Sequence, residues 1–231
     1  MRAWVGTSGY SYAEWKGSFY PAELRADQML RFYAQRFRAV EINNTFYRMP
    51  SSELLARWKQ QVPEDFRFVL KAPQSITHRQ RLQNSDATLA ILFEKAGELG
   101  AKLGPILFQL PPQLRLDLPR LEAFVALLPP GRRAAFEFRH RSWFDDQVFE
   151  ALRARDLALC IADGEVDGEI PLVTTASWGY LRLRRVAYDG AALEAWAQRI
   201  RPQPWSDVYV FFKHEDEATG PKLAARFLEL F

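Results

Sequence analysis

Short stretches in which apolar residues alternate with polar ones, or run together, recur along the whole chain. They are AWVGTSG (3–9), AVEINNT (39–45), RFVLKAP (67–73), PILFQLPP (105–112), AAFEFRH (134–140), LALCIAD (157–163), GYLRLRR (179–185) and VYVFFKH (208–214). Each has the length of a strand and is rich in β-branched or aromatic residues, which predicts eight strands. Between most of them the apolar period lengthens to that of a helix. ADQMLRFYAQRF places Met29, Leu30, Tyr33 and Phe37 on one face. SSELLARWKQQV opens on a serine cap with Glu53 in its first turn. SDATLAILFEKAGELG starts after Ser85 and ends on a glycine. DLPRLEAFVALLP, DQVFEALRARD, GAALEAWAQRI and PKLAARFLELF follow the same scheme. The predicted order is strand then helix, eight times, in one domain spanning residues 1–231. Strands alternating with helices imply parallel pairing. Eight such units predict a TIM (β/α)8 barrel, an α/β fold, with a doubly wound open sheet as the rival. No glycine fingerprint of the dinucleotide-binding or P-loop type follows any strand.

The strand phase singles out a set of polar residues. Side chains along a strand point alternately to opposite faces. Val40 and Ile42 oppose Glu41 and Asn43, Phe68 and Leu70 oppose Lys71, Phe108 opposes Gln109, and Phe136 and Phe138 oppose Glu137 and Arg139. Leu181 and Leu183 oppose Arg182, and Val210 and Phe212 oppose Lys213. The apolar phase suits contact with helices. The polar phase gathers near the C-terminal ends of the strands, where barrel active sites lie. Asp163, closing the sixth strand, is expected to join Glu41, Asn43, Lys71, Gln109, Glu137, Arg139, Arg182 and Lys213 there. A buried charge without a partner costs several kcal/mol, at roughly that order. Acids and bases gathered at one mouth neutralise each other. They read either as an ion-pair network or as a site.

Composition narrows the field only mildly. The 231 residues are 48% hydrophobic and 26% charged, with a net charge of +3 and a pI of about 9.0. This is ordinary for a globular domain and is compatible with an anionic ligand. The single cysteine, Cys160, excludes an internal disulfide and a cysteine zinc site, and its apolar setting predicts a buried, inert thiol. MRAWVGTSGYSY lacks the apolar core of a signal peptide, and no stretch is long enough to span a bilayer. A cytoplasmic location and no membrane partner are therefore the expectation.

GTSGYSYAEWKGSFYP, VEINNTFYRMP, FVLKAP with ITH shortly after, GPILFQLPP and FEFRHRSW together resemble the YecE-like family, domain of unknown function 72. The resemblance runs from about residue 4 to the C-terminus. It implies a TIM barrel, and by position it implies Glu41, Asn43, Lys71, Gln109, Glu137 and Arg139 as the family's recurrent polar residues. Where many members read YLRLHG this chain reads YLRLRR, placing Arg184 and Arg185 in place of a His-Gly pair. Lys213-His214 stands where some members have Asn-Asn.

Four chemistries fit these residue types. Glu41 and Glu137 suit an acid–base or nucleophile pair, as in glycoside hydrolysis. The aromatics of the first loop (Tyr10, Tyr12, Trp15, Phe19, Tyr20) would then stack on a sugar or pack over the rim. Lys71 suits a Schiff base if desolvated, and substrate anchoring if an adjacent carboxylate keeps it protonated. Glu41, Glu137, Asp163 and His214 are metal-ligand types, but no spaced histidine motif accompanies them and the surrounding cations oppose a metal. Arg139, Arg182, Arg184 and Lys213 suit a phosphate or carboxylate.

The reading is an enzyme, hydrolase or isomerase in type, acting on a small anionic substrate such as a phosphorylated sugar or nucleotide. Glu41, Glu137 and Lys71 are its catalytic candidates. Asn43, Gln109, Arg139, Asp163, Arg182 and Lys213 are its binding candidates. No cofactor or resident metal is expected. The alternative is a nucleic-acid-binding protein with a basic, aromatic mouth.

Overall fold

A computed structural model describes residues 1–164, 170–185, 187–213 and 218–231. The strands are β1 (Arg2–Thr7), β2 (Ala39–Ile42), β3 (Arg67–Lys71), β4 (Leu103–Gln109), β5 (Ala134–Glu137), β6 (Ala158–Asp163), β7 (Trp178–Leu183) and β8 (Asp207–Phe212). Strands β2 to β8 pair in sequence order, all parallel, and β8 pairs with β1. Between β1 and β2 the contact is a single bridge, Ser8 with Glu41, where the Gly9 N–H donates to the Glu41 carbonyl at 2.8 Å. The sheet is thereby a nearly closed TIM barrel. An open doubly wound sheet would leave its two edge strands apart.

Seven α-helices lie among the described residues: α1 (Met29–Ala34), α2 (Ser52–Gln61), α3 (Asp86–Gly97), α4 (Leu118–Ala126), α5 (Asp146–Arg153), α6 (Gly190–Ile200) and α7 (Thr219–Leu228). Their caps follow the sequence. Ser51 accepts from the Leu54 N–H, and Asp117, Asp145 and Asp189 each accept from an N–H in the first turn of α4, α5 and α6. The expectation of a helix after every strand fails between β6 and β7, where the described residues form none. Residues 170–177 read IPLVTTAS, a proline followed by β-branched residues, which are weak helix formers. They run beside the start of β6 instead, where the Thr175 hydroxyl donates to the Leu157 carbonyl and accepts from the Leu159 N–H, each at 2.8 Å. No described helix is long and apolar enough to cross a membrane.

The apolar strand phase packs on the helices as its alternation requires. Phe68 stacks on Trp58 of α2, Phe108 and Phe136 both meet Phe124 of α4, and Phe212 meets Phe227 of α7. The join of β1 to β2 depends on Tyr33 of α1, whose hydroxyl accepts from the Thr7 N–H at 2.9 Å and donates to the Ala39 carbonyl at 3.0 Å. Gly6 sits against this join, and a Cβ there would lie 2.1 Å from the Ala39 oxygen and 2.7 Å from the Tyr33 hydroxyl. Backbone cannot yield as a flexible side chain can. Gly6→Ala is therefore expected to destabilise by about 1–3 kcal/mol, the usual range for overpacking. Urea denaturation checks this, and an unchanged midpoint would show that the barrel is not held shut at this seam.

Candidate functional site

The polar phase of β2, β5 and β7 converges on one guanidinium. Glu41 and Glu137 are 0% exposed and Arg182 is 1% exposed. Arg182 donates from Nη1 to Glu137 Oε2 at 2.5 Å and from Nη2 to Glu41 Oε1 at 2.8 Å. Glu41 also accepts from Ser8 Oγ at 2.7 Å, from the Tyr180 hydroxyl at 2.6 Å and from Asn43 Nδ2 at 3.2 Å. Glu137 accepts from Arg139 Nε as well. Burial by itself would raise the pKa of each carboxyl. Arg182 outweighs it at Glu41, helped by the hydrogen bonds of Tyr180 and Ser8, and holds Glu41 below its usual value. At Glu137 burial is outweighed by Arg182, then Arg139 and Arg184, which bring it down to about 2. Both carboxylates are therefore ionised, buried and engaged. Arg182 Nε is buried with no hydrogen-bond partner among the described residues.

Lys71 stands beside this cluster and outside its pairing. Its Nζ donates to Gln109 Oε1 at 2.6 Å and lies 4.3 Å from the centre of the Phe46 ring. Among the described residues no carboxylate forms an ion pair with it. Burial is the main cause that lowers its pKa, and Arg182 lowers it further. Glu137 and Glu41 oppose this only in part, leaving Lys71 at about 8. Neither Glu41 nor Glu137 forms a direct ion pair with Lys71 among the described residues, although the charge of both favours its protonated form. The chain after β3 turns through a π-helical segment, Ser75–Arg79, a distortion that recurs at functional sites. It carries His78, whose ring meets Phe46 edge-on at 4.9 Å. Burial, then Lys71 and Arg139, lowers the His78 pKa, so this histidine is neutral near pH 7.

Two expected members lie elsewhere. Asp163 is on the outer side of β6, accepting from the Tyr188 hydroxyl at 2.9 Å, Trp196 Nε1 at 3.3 Å and Arg185 Nε at 2.8 Å. The phase of β6 is set by Cys160, which is buried with Sγ 4.0 Å from Glu137 Oε2, so a residue three further on faces out. LALCIAD is apolar in both phases up to Asp163 and gave no sign of which was inward. Lys213 is exposed, one residue beyond β8, and is not part of the buried cluster. His214 lies outside the described residues. With Asp163 turned outward and both glutamates engaged by Arg182, the described residues bring no group of three metal-ligating side chains together.

The first-loop aromatics pack. Trp15 and Tyr20 are buried, and Phe19 meets Phe32, Tyr33 and Phe37 of α1 and its C-terminal turn. Residues that the strand phase did not select include Tyr180, Ser8, Phe46 and His78. Tyr180 shares the phase of Arg182 two residues away and was readable on that ground. Ser8, Phe46 and His78 reach the site through loop geometry, which no alternation reports.

The sequence profile of the family described as Protein of unknown function DUF72 matches residues 4–231. The Escherichia coli K12 protein "UPF0759 protein YecE" is 34% identical over 116 residues, covering 50% of this chain and 43% of YecE. The chain thus matches less than half of that relative's length. The Bacillus subtilis "UPF0759 protein YunF" is 24% identical over 93% of this chain and 79% of its own. A crystal structure of a DUF72 family protein from Thermotoga maritima superposes with a TM-score of 0.89 at 26% identity, covering 100% of this chain and 99% of that one. With its barrel, its mouth residues and this match over nearly its whole length, the chain belongs to the DUF72, YecE-like family.

Proposed function

We propose that this protein is an enzyme that binds a small anionic substrate, of the phosphorylated-sugar or nucleotide-like class, at the C-terminal mouth of the barrel. Lys71 is the group that moves the proton. The observation that supports this reading is a lysine lowered to about 8 beside two carboxylates that are both engaged by Arg182. Such an amine is neutral in roughly a tenth of molecules at pH 7 and in half near pH 8. Glu41 and Glu137 keep Arg182 charged and in place, and take no proton themselves. Asn43 and Gln109 orient the substrate and Lys71. Arg139, 16% exposed at its side chain, is more open than Arg182, the other guanidinium that engages Glu137.

The reaction class is proton transfer next to a carbonyl. The neutral Lys71 amine takes a proton from carbon, and the electron pair moves onto the carbonyl oxygen. The surrounding guanidiniums stabilise that oxygen's negative charge. Where the first carbon bears a hydroxyl, the hydroxyl proton passes to this oxygen and Lys71 returns its proton to the former carbonyl carbon, leaving the carbonyl on the first carbon. The nucleic-acid reading is less favoured, because two of the first-loop aromatics, Trp15 and Tyr20, are buried and Tyr10, Tyr12 and Phe19 are packed partly against the core.

Reductive methylation followed by peptide mass spectrometry tests the role of Lys71. Its rate at Lys71 is expected to rise along a titration centred near 8, ahead of surface lysines, and to slow when phosphate or a sugar phosphate is present. A midpoint near the ordinary 10.5, or no protection by either anion, would overturn the proposal.

A further inference from the structure

The opposite end of the barrel carries a second concentration of positive charge. Arg67 opens β3, and Arg132 and Arg133 immediately precede β5, so the three lie at the N-terminal ends of the two strands that flank β4. They line a cavity of about 220 Å³ whose wall also includes Gly104, Gly131 and Tyr209. Arg133 is the one arginine of the three with an acid, Asp207, at 2.7 Å, and that carboxylate also accepts from Trp4 Nε1 at 3.0 Å. Arg67 donates to the backbone carbonyl of Phe66 at 3.0 Å and covers the Trp4 ring at 4.9 Å. Among the described residues neither Arg67 nor Arg132 forms an ion pair. Three guanidiniums thus face one concave space with a single carboxylate to offset them.

The rim is open to a ligand. Gly104 and Gly131 carry no side chain into it, and a Cβ at Gly131 would stand in open space. The floor is rigid, since Tyr209 is 2% exposed and its ring stacks on Trp4 at 6.0 Å. Guanidinium forks match the oxygens of a phosphate in twos, and a half-buried setting strengthens each bond relative to water. We propose that this cavity binds the phosphoryl group of a small molecule, at a site separate from the C-terminal mouth.

The probes are inorganic phosphate and glycerol phosphate, titrated into the 15N-labelled protein at constant ionic strength. The amide signals of Gly104 and Gly131 are expected to move saturably. In Arg132→Ala, an exposed position whose loss does not threaten folding, the dissociation constant is expected to rise roughly tenfold or more, the effect of one charge-assisted hydrogen bond. Lys71→Met, at the other end of the barrel, is expected to leave these two signals' response unchanged, which separates this site from the mouth. Tighter binding of glycerol phosphate than of phosphate would identify a phosphate ester as the ligand, and equal binding would identify free phosphate. Gly104 and Gly131 signals that do not move, or that move equally in Arg132→Ala, would overturn the proposal. So would a duplex oligonucleotide that binds through Arg132 more tightly than either probe.

Discussion

Arg182→Met is expected to destabilise the protein by about 3–5 kcal/mol, the loss typical when one partner of a buried ion pair is removed. The variant leaves Glu41 and Glu137 in the barrel with their main counter-charge gone. Its pH dependence is expected to run opposite to that of the wild type. In the wild type the Glu137 pKa is depressed to about 2. Its contribution is therefore fully present above the unfolded value near 4.5 and is lost as pH falls from there toward 2. Without Arg182, burial dominates at Glu137 and Glu41, and their folded pKa values rise above the unfolded value. A raised carboxyl pKa stabilises the fold at low pH and destabilises it as pH rises through the folded pKa. Urea denaturation between pH 3 and 8, as a set of about six points, reads both signs. Adding Glu41→Gln and Glu137→Gln to Arg182→Met is expected to restore much of the loss, since hydrogen-bonded neutral side chains replace stranded charges. A loss below about 1 kcal/mol with unchanged pH dependence would mean that Arg182 does not hold the two carboxylates, because exposed pairs give effects of that size.

Lys71→Met is expected to act in the other direction on stability while removing function. The fold lowers the Lys71 pKa from 10.5 to about 8, so the charged amine is less stable in the folded protein than in the unfolded chain. Lys71 is partly buried, so after discounting for solvent screening, relief of that penalty is worth on the order of 1–3 kcal/mol. The sign with pH follows from proton counting. Between 8 and 10.5 the unfolded chain binds more protons than the folded one, so wild-type stability rises with pH across that window. The advantage of Lys71→Met is expected to be full below pH 8 and to vanish above 10.5. Loss of a general base lowers turnover by roughly 10²–10⁴-fold. That loss is to be measured on whichever sugar phosphate protects Lys71 from methylation. A variant less stable than the wild type at pH 7 that still binds the anion would make Lys71 a structural residue. Stability gained where function is lost is the behaviour of a site held against its own strain.

Much of the fold and part of the site were readable because two short-range rules act on every residue. Strand length and β-branched content marked eight strands, and their alternation with helical periods marked parallel pairing. The period of two then selected Glu41, Lys71, Gln109, Glu137 and Arg182 as inward-facing, since a residue and its second neighbour share a face whatever the rest of the chain does. The same rule had nothing to act on in LALCIAD, where both phases are apolar, and Asp163 was placed on the wrong side. It also stopped at strand ends. Arg139 keeps its contact with Glu137, whereas Lys213 leaves the barrel, and the difference lies in where each loop turns.

The tertiary structure alone decided which charge meets which. Alternation along a strand places a side chain on a face but says nothing of its distance from residues on other strands. Glu41, Glu137 and Arg182 are far apart in sequence and meet because a nearly closed barrel brings β2, β5 and β7 to one axis. Once Arg182 has taken both carboxylates, Lys71 is left to Gln109, and burial first and the charge of Arg182 second lower its pKa. Strand pairing likewise gathers Arg67, Arg132 and Arg133 at the other end, on either side of β4, where the chain shows them only as ordinary arginines at the starts of two strands. Burial and pairing are properties of three-dimensional neighbours, so alternation along the chain suffices for the strands and for most inward positions, and the packed barrel sets their charge states.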